Sequence, residues 1–345
     1  MTAAGSADGF GLPIGAAAGR EAFDEPGFRH EALFYAGGGE FLAGAAAFVR
    51  EGLNAGEPVL AAVPDAKARL LREELGPAAD AVDFLDMAEI GRNPARMIPS
   101  WQAWVDRNQD AGRPFRGLGE PGWAGSSPAE SSECQQHDSL VGAAFGGGPA
   151  WRMLCAYDTA ELGADVIDHA TRSHPVLLHK GTLRLPNPDY RRPGSPLEVL
   201  AEPLPEPTAK AQETSFDRED LARIRHLVGE WATTAGLGTT RVRDFVLAMN
   251  ELACNSIQYG GGDGVVRLWE DDGVLVGEVR DRGVIRDPLV GRRQPTGNAQ
   301  GGAGLWIVNQ VCDLVQIRSI PATGVTVRVH VVLPTVGDGD SVAGH

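Results

Sequence analysis

Asn250-Glu251-Leu252-Ala253-Cys254-Asn255, Asp281-Arg282-Gly283 and Gly301-Gly302-Ala303-Gly304-Leu305 follow one another in that order near the end of the chain. Glu251 and Asn255 lie four residues apart in a stretch with helical periodicity, so they share one helix face. An amide oxygen is a hard Mg²⁺ ligand, and a neighbouring carboxylate can take a proton from an attacking hydroxyl or water. Asp281 closes a strand, where a carboxylate can accept a hydrogen bond from an exocyclic amine. Gly283 beside it lets backbone approach a ring. Gly301, Gly302 and Gly304 precede a helix that opens at Leu305, and free N–H groups at a helix start attract phosphate. Arg282, Arg286, Arg292 and Arg293 are candidates for cationic cover. Each stretch has an ordinary reading by itself: a solvated polar face, a strand-to-loop turn, a glycine loop. Their fixed order is what outlines a Mg-nucleotide site.

Around these stretches the pattern predicts a complete α+β unit. A helix is expected over 215–235, with Ser215 or Asp217 as its cap and Leu221, Ile224, Leu227, Val228 and Trp231 at helical spacing. A second helix covers 240–258, with Val242, Phe245, Val246, Met249 and Ala253 on one face. Strands follow at 265–269 and 274–280, joined by the turn Glu270-Asp271-Asp272-Gly273. A helix at 305–315 and strands at 316–319 and 325–333 complete the unit.

In this setting residues 215–335 resemble the GHKL (Bergerat) ATP-binding fold, a two-layer α+β domain shared by histidine kinases, anti-sigma-factor serine kinases, MutL repair ATPases and a cytosolic heat-shock chaperone. The resemblance implies Glu251 as catalytic base and Asn255 as Mg²⁺ ligand. It places Asp281 on the adenine amine beside Gly283, and Gly302, Gly304 and Leu305 against phosphate. The run Leu305-Trp306-Ile307-Val308-Asn309-Gln310-Val311-Cys312-Asp313 is most similar to the anti-sigma-factor kinase branch found in actinobacteria. That branch implies a sigma factor to be withheld from polymerase and an anti-anti-sigma partner of the STAS type to be phosphorylated on Ser or Thr, with homodimerisation also implied. Two positions depart from the family pattern. Ile285 stands where the first glycine box has its second glycine, and Gly324-Val325 stands where Gly-Thr is usual, with Thr326 on the opposite sheet face. These departures keep a second reading open, a module that binds ATP or protein and acts by sequestration alone. An atypical histidine kinase is a further alternative, although His226 and His30 both lack the expected phospho-acceptor context.

Upstream, strand candidates at 32–35, 58–63, 82–86, 115–119 and 152–157 alternate with helices near 39–53, 65–75, 94–111, 127–145 and 161–172. Such alternation implies an α/β domain with a parallel sheet. Residues 26–180 resemble the MEDS sensory domain, through His30-Glu31-Ala32-Leu33-Phe34-Tyr35, Gly56-Glu57-Pro58, Asp86-Met87, Asn93-Pro94, Gly119-Glu120-Pro121 and Glu133-Cys134-Gln135-Gln136-His137. The resemblance implies a RecA-like sheet that senses a small organic molecule. No Gly-x-x-x-x-Gly-Lys-Ser/Thr segment is present to bind phosphate. His30, Tyr35, Glu120, Cys134 and His137 are the candidate sensor-pocket residues, and a metal held by Cys134 and His137 is one option for them.

Residues 181–214 carry Pro186, Pro188, Pro193, Pro196, Pro203, Pro205 and Pro207 and read as a linker between the two domains. Residues 1–25 read as a flexible leader and 336–345 as a disordered tail. The net charge is −15 over 345 residues, from 31 basic and 46 acidic side chains, which argues against a general nucleic-acid surface. Four widely spaced cysteines give neither a disulfide framework nor a zinc ribbon. No apolar run is long enough to span a membrane and no signal peptide is read, so the expected location is the cytoplasm.

Overall fold

A computed structural model describes residues 27–109, 112–122, 125–179, 181–192, 194–295 and 302–334, and all that follows concerns these. The leader 1–25, the tail 336–345 and Gly301 lie outside them. The described residues fall into two compact units. One lies within Met1–Met87, Ala111–Ala124 and Phe145–Pro193; the other within Ala88–Asp110, Gly125–Ala144 and Gly194–His345.

The first unit is built on a seven-stranded sheet in the order β3-β2-β4-β5-β1-β6-β7. Its strands are β1 (Arg29–Tyr35), β2 (Val59–Val63), β3 (Val82–Asp86), β4 (Phe115–Gly119), β5 (Trp151–Asp158), β6 (Val176–His179) and β7 (Leu183–Pro186). All pairings are parallel except that of β6 with β7. The β2 sequence Val-Leu-Ala-Ala-Val is buried throughout, as a strand covered on both faces must be. Helices α1 (Gly37–Asn54) and α2 (Asp65–Leu75) bury Phe41, Phe48, Val49 and Leu71 against Leu33, Ala61, Leu118 and Leu154. Each such side chain contributes about 1.5–3 kcal/mol by leaving water. Gly44 lets α1 approach the sheet, since a Cβ there would lie 2.6 Å from Leu33 Cδ2.

Strand β7 falls inside the stretch expected to be linker. The reason is electrostatic. Glu31 on β1 is fully buried, and Arg184 on β7 donates to its carboxylate at 2.8 Å. A buried carboxylate without such a partner would be strongly unfavourable, so this part of the proline-rich segment completes the sheet.

The second unit holds a five-stranded sheet, β11-β12-β10-β9-β8, with every pairing antiparallel. The strands are β8 (Gln212–Asp217), β9 (Asp263–Asp271), β10 (Val274–Asp281), β11 (Leu314–Ile320) and β12 (Gly324–Val332). Short helix α3 (Met87–Ile90) precedes α4 (Met97–Asn108), and α5 (Pro128–Phe145) precedes α6 (Ala164–Ser173) of the first unit. On the sheet of the second unit lie α7 (Leu221–Thr234), α8 (Thr239–Tyr259) and α9 (Ala303–Val311). Gly277 in the centre of β10 brings α8 close, because a Cβ there would meet Met249 Sδ at 2.5 Å.

Three boundaries differ from the sequence expectation. Residues Ser215 and Asp217 end β8 rather than capping a helix; α7 begins at Leu221 after Asp220. Segments 88–110 and 125–144, read in the sequence with the sensor domain, are grouped with the second unit, where Asn93 donates to the Asn309 carbonyl and Arg292 meets Glu133. Residues Pro205 and Glu206 are not free linker. The Pro205 carbonyl accepts from Arg328 at 2.9 Å, and Glu206 accepts from Arg267 and Arg280 at 2.9 and 2.8 Å. These arginines surround Glu278, a fully buried carboxylate on β10.

Candidate functional site

The nucleotide-site residues converge in the second unit. Helix α8 carries Glu251, Asn255 and Ser256 on its last turns, β10 ends on Asp281, and α9 opens after Gly302. A cavity of about 770 Å³ lies among them, within the usual size range of small-molecule sites. Asn255, Ser256, Asp281, Gly283, Gly302 and Leu305 all line it.

Asp281 is held from two sides. Ser256 Oγ donates to Oδ2 at 2.6 Å and the Gly283 N–H donates to Oδ1 at 2.7 Å. Each carboxylate oxygen has further lone pairs, so the group can still accept from a ligand amine. Two glycines make room for it: a Cβ on Gly260 would lie 2.3 Å from Asp281 Cγ, and one on Gly283 2.8 Å from Oδ1. Gly324 has φ +97, and a Cβ there would come within 1.9 Å of the Asp281 carbonyl oxygen. Only glycine fits this turn.

Gly302 caps α9 in the left-handed conformation, with φ +87. Two residues on, a Cβ on Gly304 would lie 2.8 Å from Glu251 Oε2 and 3.4 Å from Asn255 Nδ2. The base candidate and the metal-ligand candidate therefore face the glycine turn, although Glu251 itself is not a cavity-lining residue. The absent side chain at 304 leaves open the space beside both polar groups, where Mg²⁺ and phosphate would fit.

The two departures from the family pattern both fall on the cavity wall. Ile285 and Val325 line it with apolar surface, while the Ile285 N–H donates to Ser319 Oγ at 3.0 Å. Val325 pairs directly with Asp281 across the β10–β12 ladder, and Thr326 pairs with Arg280. Support for Asp281 comes instead from Ser256, a residue sequence reasoning missed. Its only signal was a hydroxyl immediately after Asn255.

The four arginines separate. Arg286 and Arg293 line the cavity. Arg282 is exposed and pairs with Asp263. Arg292 is buried and turned toward α5, where it meets Glu133 Oε2 at 3.2 Å and Gln136 Oε1 at 2.7 Å. Arg318 on β11 reaches the other oxygen of Glu133 at 2.8 Å. The same unit holds α9 by its C-terminus. Arg96 donates to the carbonyls of Asn309, Gln310 and Cys312, and Asn93 to that of Asn309. Cations and donors belong at a helix C-terminus, where carbonyls are left over.

Among the sensor candidates of the first unit, His30 stands apart from Tyr35 and Glu120. Tyr35 and Glu120 do meet: the Tyr35 hydroxyl donates to Glu120 Oε1 at 2.8 Å, and Lys67 contacts both. They stand at the carboxyl ends of β1 and β4, the usual ligand position in such sheets. Burial is the main cause that pushes the Glu120 carboxyl above its ordinary range. His30 lies at the start of β1 and on its opposite face, since strand side chains alternate. Cys134 and His137 are buried on α5, within the segment counted with the second unit. Burial first, then the charges of Asp138 and Glu133, push the Cys134 thiol up. His226 is exposed beside Glu230.

Residues 29–175 match the MEthanogen/methylotroph, DcmR Sensory domain (MEDS), and residues 214–331 match the histidine kinase-like ATPase domain. The chain joins a MEDS sensory domain to a histidine kinase-like ATPase domain. A search of curated proteins finds no match to this chain. The ATPase match implies ATP binding, and with the sensory match it points to a signalling regulator. Among the described residues no helix is long and apolar enough to cross a membrane.

Proposed function

We propose that this chain is a signal-responsive anti-sigma regulator whose C-terminal domain binds Mg-ATP and phosphorylates a Ser or Thr of an anti-anti-sigma protein. In this reading the domain withholds a sigma factor until its phosphorylated partner is exchanged. The observation that carries the ATP part is Asp281, fixed by Ser256 and Gly283 at the cavity wall. Asp281 accepts the adenine amine, and the N–H groups that open α9 face the phosphates. Asn255 would hold Mg²⁺, which neutralises phosphate charge when bound. Glu251, beside Gly304, accepts the proton of the attacking hydroxyl. The kinase branch is supported by the run from Leu305 to Asp313 and by the domain order. The MEDS domain takes a small-molecule signal, and the expected setting is the cytoplasm.

A second reading, sequestration without transfer, is favoured by Val325 and Ile285, which replace the polar and glycine positions of the family. Calorimetric titration with Mg-ATP separates the parts of the proposal. Micromolar binding lost in Asp281→Asn supports the adenine role. Transfer of the γ-phosphate to a STAS-type partner, lost in Glu251→Gln while ATP binding persists, supports the kinase role. Tight ATP binding with no transfer to any such partner would leave the sequestration reading in its place.

A further inference from the structure

His30, Cys155 and His174 form a buried donor cluster that neither the nucleotide site nor the Tyr35–Glu120 pair uses. All three belong to the first unit. His30 is on β1 and Cys155 on β5, the parallel neighbour. The register pairs Ala32 with Cys155, so His30 and Cys155 project from the same sheet face two residues apart. His174 follows α6 and immediately precedes the entry to β6. His30 Nε2 is 3.3 Å from Cys155 Sγ, and the His30 and His174 rings are 3.9 Å apart between centroids. One donor atom from each of the three lies within 4.8 Å of the others.

The protonation state of His174 is set by its surroundings. Its Nδ1 is 2.7 Å from the Ala170 carbonyl oxygen. A carbonyl can only accept, so Nδ1 carries the proton and Nε2 keeps its lone pair. That Nε2 is fully buried and has no hydrogen-bond partner. A buried acceptor left unsatisfied in this way is unfavourable. Histidine with one nitrogen bound to a backbone carbonyl and the other presenting a lone pair is the arrangement metal ligands adopt. Phe28 stacks on the His30 ring and Tyr157 meets the His174 ring edge-on.

We propose that His30, Cys155 and His174 bind a late first-row transition-metal ion, with Zn²⁺ the ion their donor set fits. Two imidazole nitrogens and one thiolate suit zinc or copper and exclude the hard ions Mg²⁺ and Ca²⁺. On binding, the Cys155 S–H bond breaks and its proton goes to solvent. The sulfur and two nitrogen lone pairs form the coordinate bonds, and no oxidation state changes. The ion would tie β1 and β5 to the α6–β6 junction.

The test is a Co²⁺ titration of the chelator-treated, reduced full chain. The expected result is a thiolate-to-cobalt charge-transfer band with tetrahedral d–d bands, saturating at one ion per chain and bleached by Zn²⁺. Cys155→Ser removes the charge-transfer band, His174→Gln weakens binding at least tenfold, and Cys254→Ser leaves both signals unchanged. No charge-transfer band in the unaltered chain overturns the site. So does a band that survives both Cys155→Ser and His174→Gln in variants folded by circular dichroism. Should either variant fail to fold, X-ray absorption on the zinc-loaded unaltered chain decides: one sulfur ligand supports the proposal, and none or several overturns it.

Discussion

Glu133 on α5 and Arg292, at the base of the segment that leads to the glycine turn, form an ion pair at 3.2 Å with both side chains almost fully out of water. Arg318 takes the other carboxylate oxygen, so one acid pairs with two buried guanidinium groups. Removing one partner of a buried pair leaves uncompensated charge and costs about 3–5 kcal/mol. Glu133→Gln keeps the shape and removes the charge. It is expected to lower the unfolding free energy by about that amount, read from urea denaturation. A loss below about 1 kcal/mol would place the pair among the weak surface bridges instead.

Arg292 adjoins Gly291 and Arg293, which line the nucleotide cavity. Gly291 is itself bonded to α9 through Asn309, whose amide donates to its carbonyl at 2.9 Å. Glu133→Gln is therefore also expected to change ATP affinity by at least threefold, by freeing this segment. Equal affinity in the variant and the unaltered chain would show that the ion pair is structural only.

Ser256→Ala removes a hydrogen bond to a carboxylate, an interaction of about 1.5–3 kcal/mol. The expected outcome is ATP binding weakened by about tenfold to a hundredfold in calorimetry. Val325→Thr, by contrast, should change affinity little, because Ser256 already orients Asp281. An ATP affinity unmoved by Ser256→Ala, or raised tenfold by Val325→Thr, would refute the substitution of one hydroxyl for the other.

Gly304→Ala places a methyl group 2.8 Å from Glu251 Oε2. The carboxylate must shift, and a misplacement near 1 Å costs about a hundredfold in rate. Phosphate transfer should fall by that order while ATP binding, carried by Asp281, is held within a few-fold. Loss of binding and transfer together would mean the methyl blocks the phosphates rather than displacing the base.

The residues that were legible in the sequence are those whose partners are local. Glu251 and Asn255 share a helix face by spacing alone, Asp281 ends a strand, and Gly302 precedes a helix. Strands β1 to β5 of the first sheet and β9 to β12 of the second follow from period-two and period-3.6 patterns, whereas β6, β7 and β8 were not expected. What stayed hidden depends on contacts far apart along the chain. Glu133 meets Arg292 and Arg318 across separations of 159 and 185 residues. Glu31 recruits Arg184 from 153 residues away and turns part of a proline-rich stretch into β7. A sequence shows that Glu31 sits in an apolar strand, but not which arginine neutralises it. His30 and Tyr35 separate for a simpler reason. They differ by an odd number of positions on one strand, so they occupy opposite faces.

His330 on β12 gives a pH dependence with a definite sign. Burial first, then the charge of Arg328, pushes its pKa from 6.5 down to about 4. The unfolded chain takes up a proton near its ordinary value of 6.5, whereas the folded chain refuses it until about 4. Between those values the unfolded state binds more protons, so stability is lost as pH falls. The contribution lost between about pH 7 and about pH 5 is roughly 2 kcal/mol. Hydrogen exchange of the β11 and β12 amides at the two pH values reads the effect of His330 locally. His330→Gln should retain the contact to Gln316 and flatten that pH dependence by about 2 kcal/mol. An unchanged slope in His330→Gln would assign the acid sensitivity of this sheet to other groups.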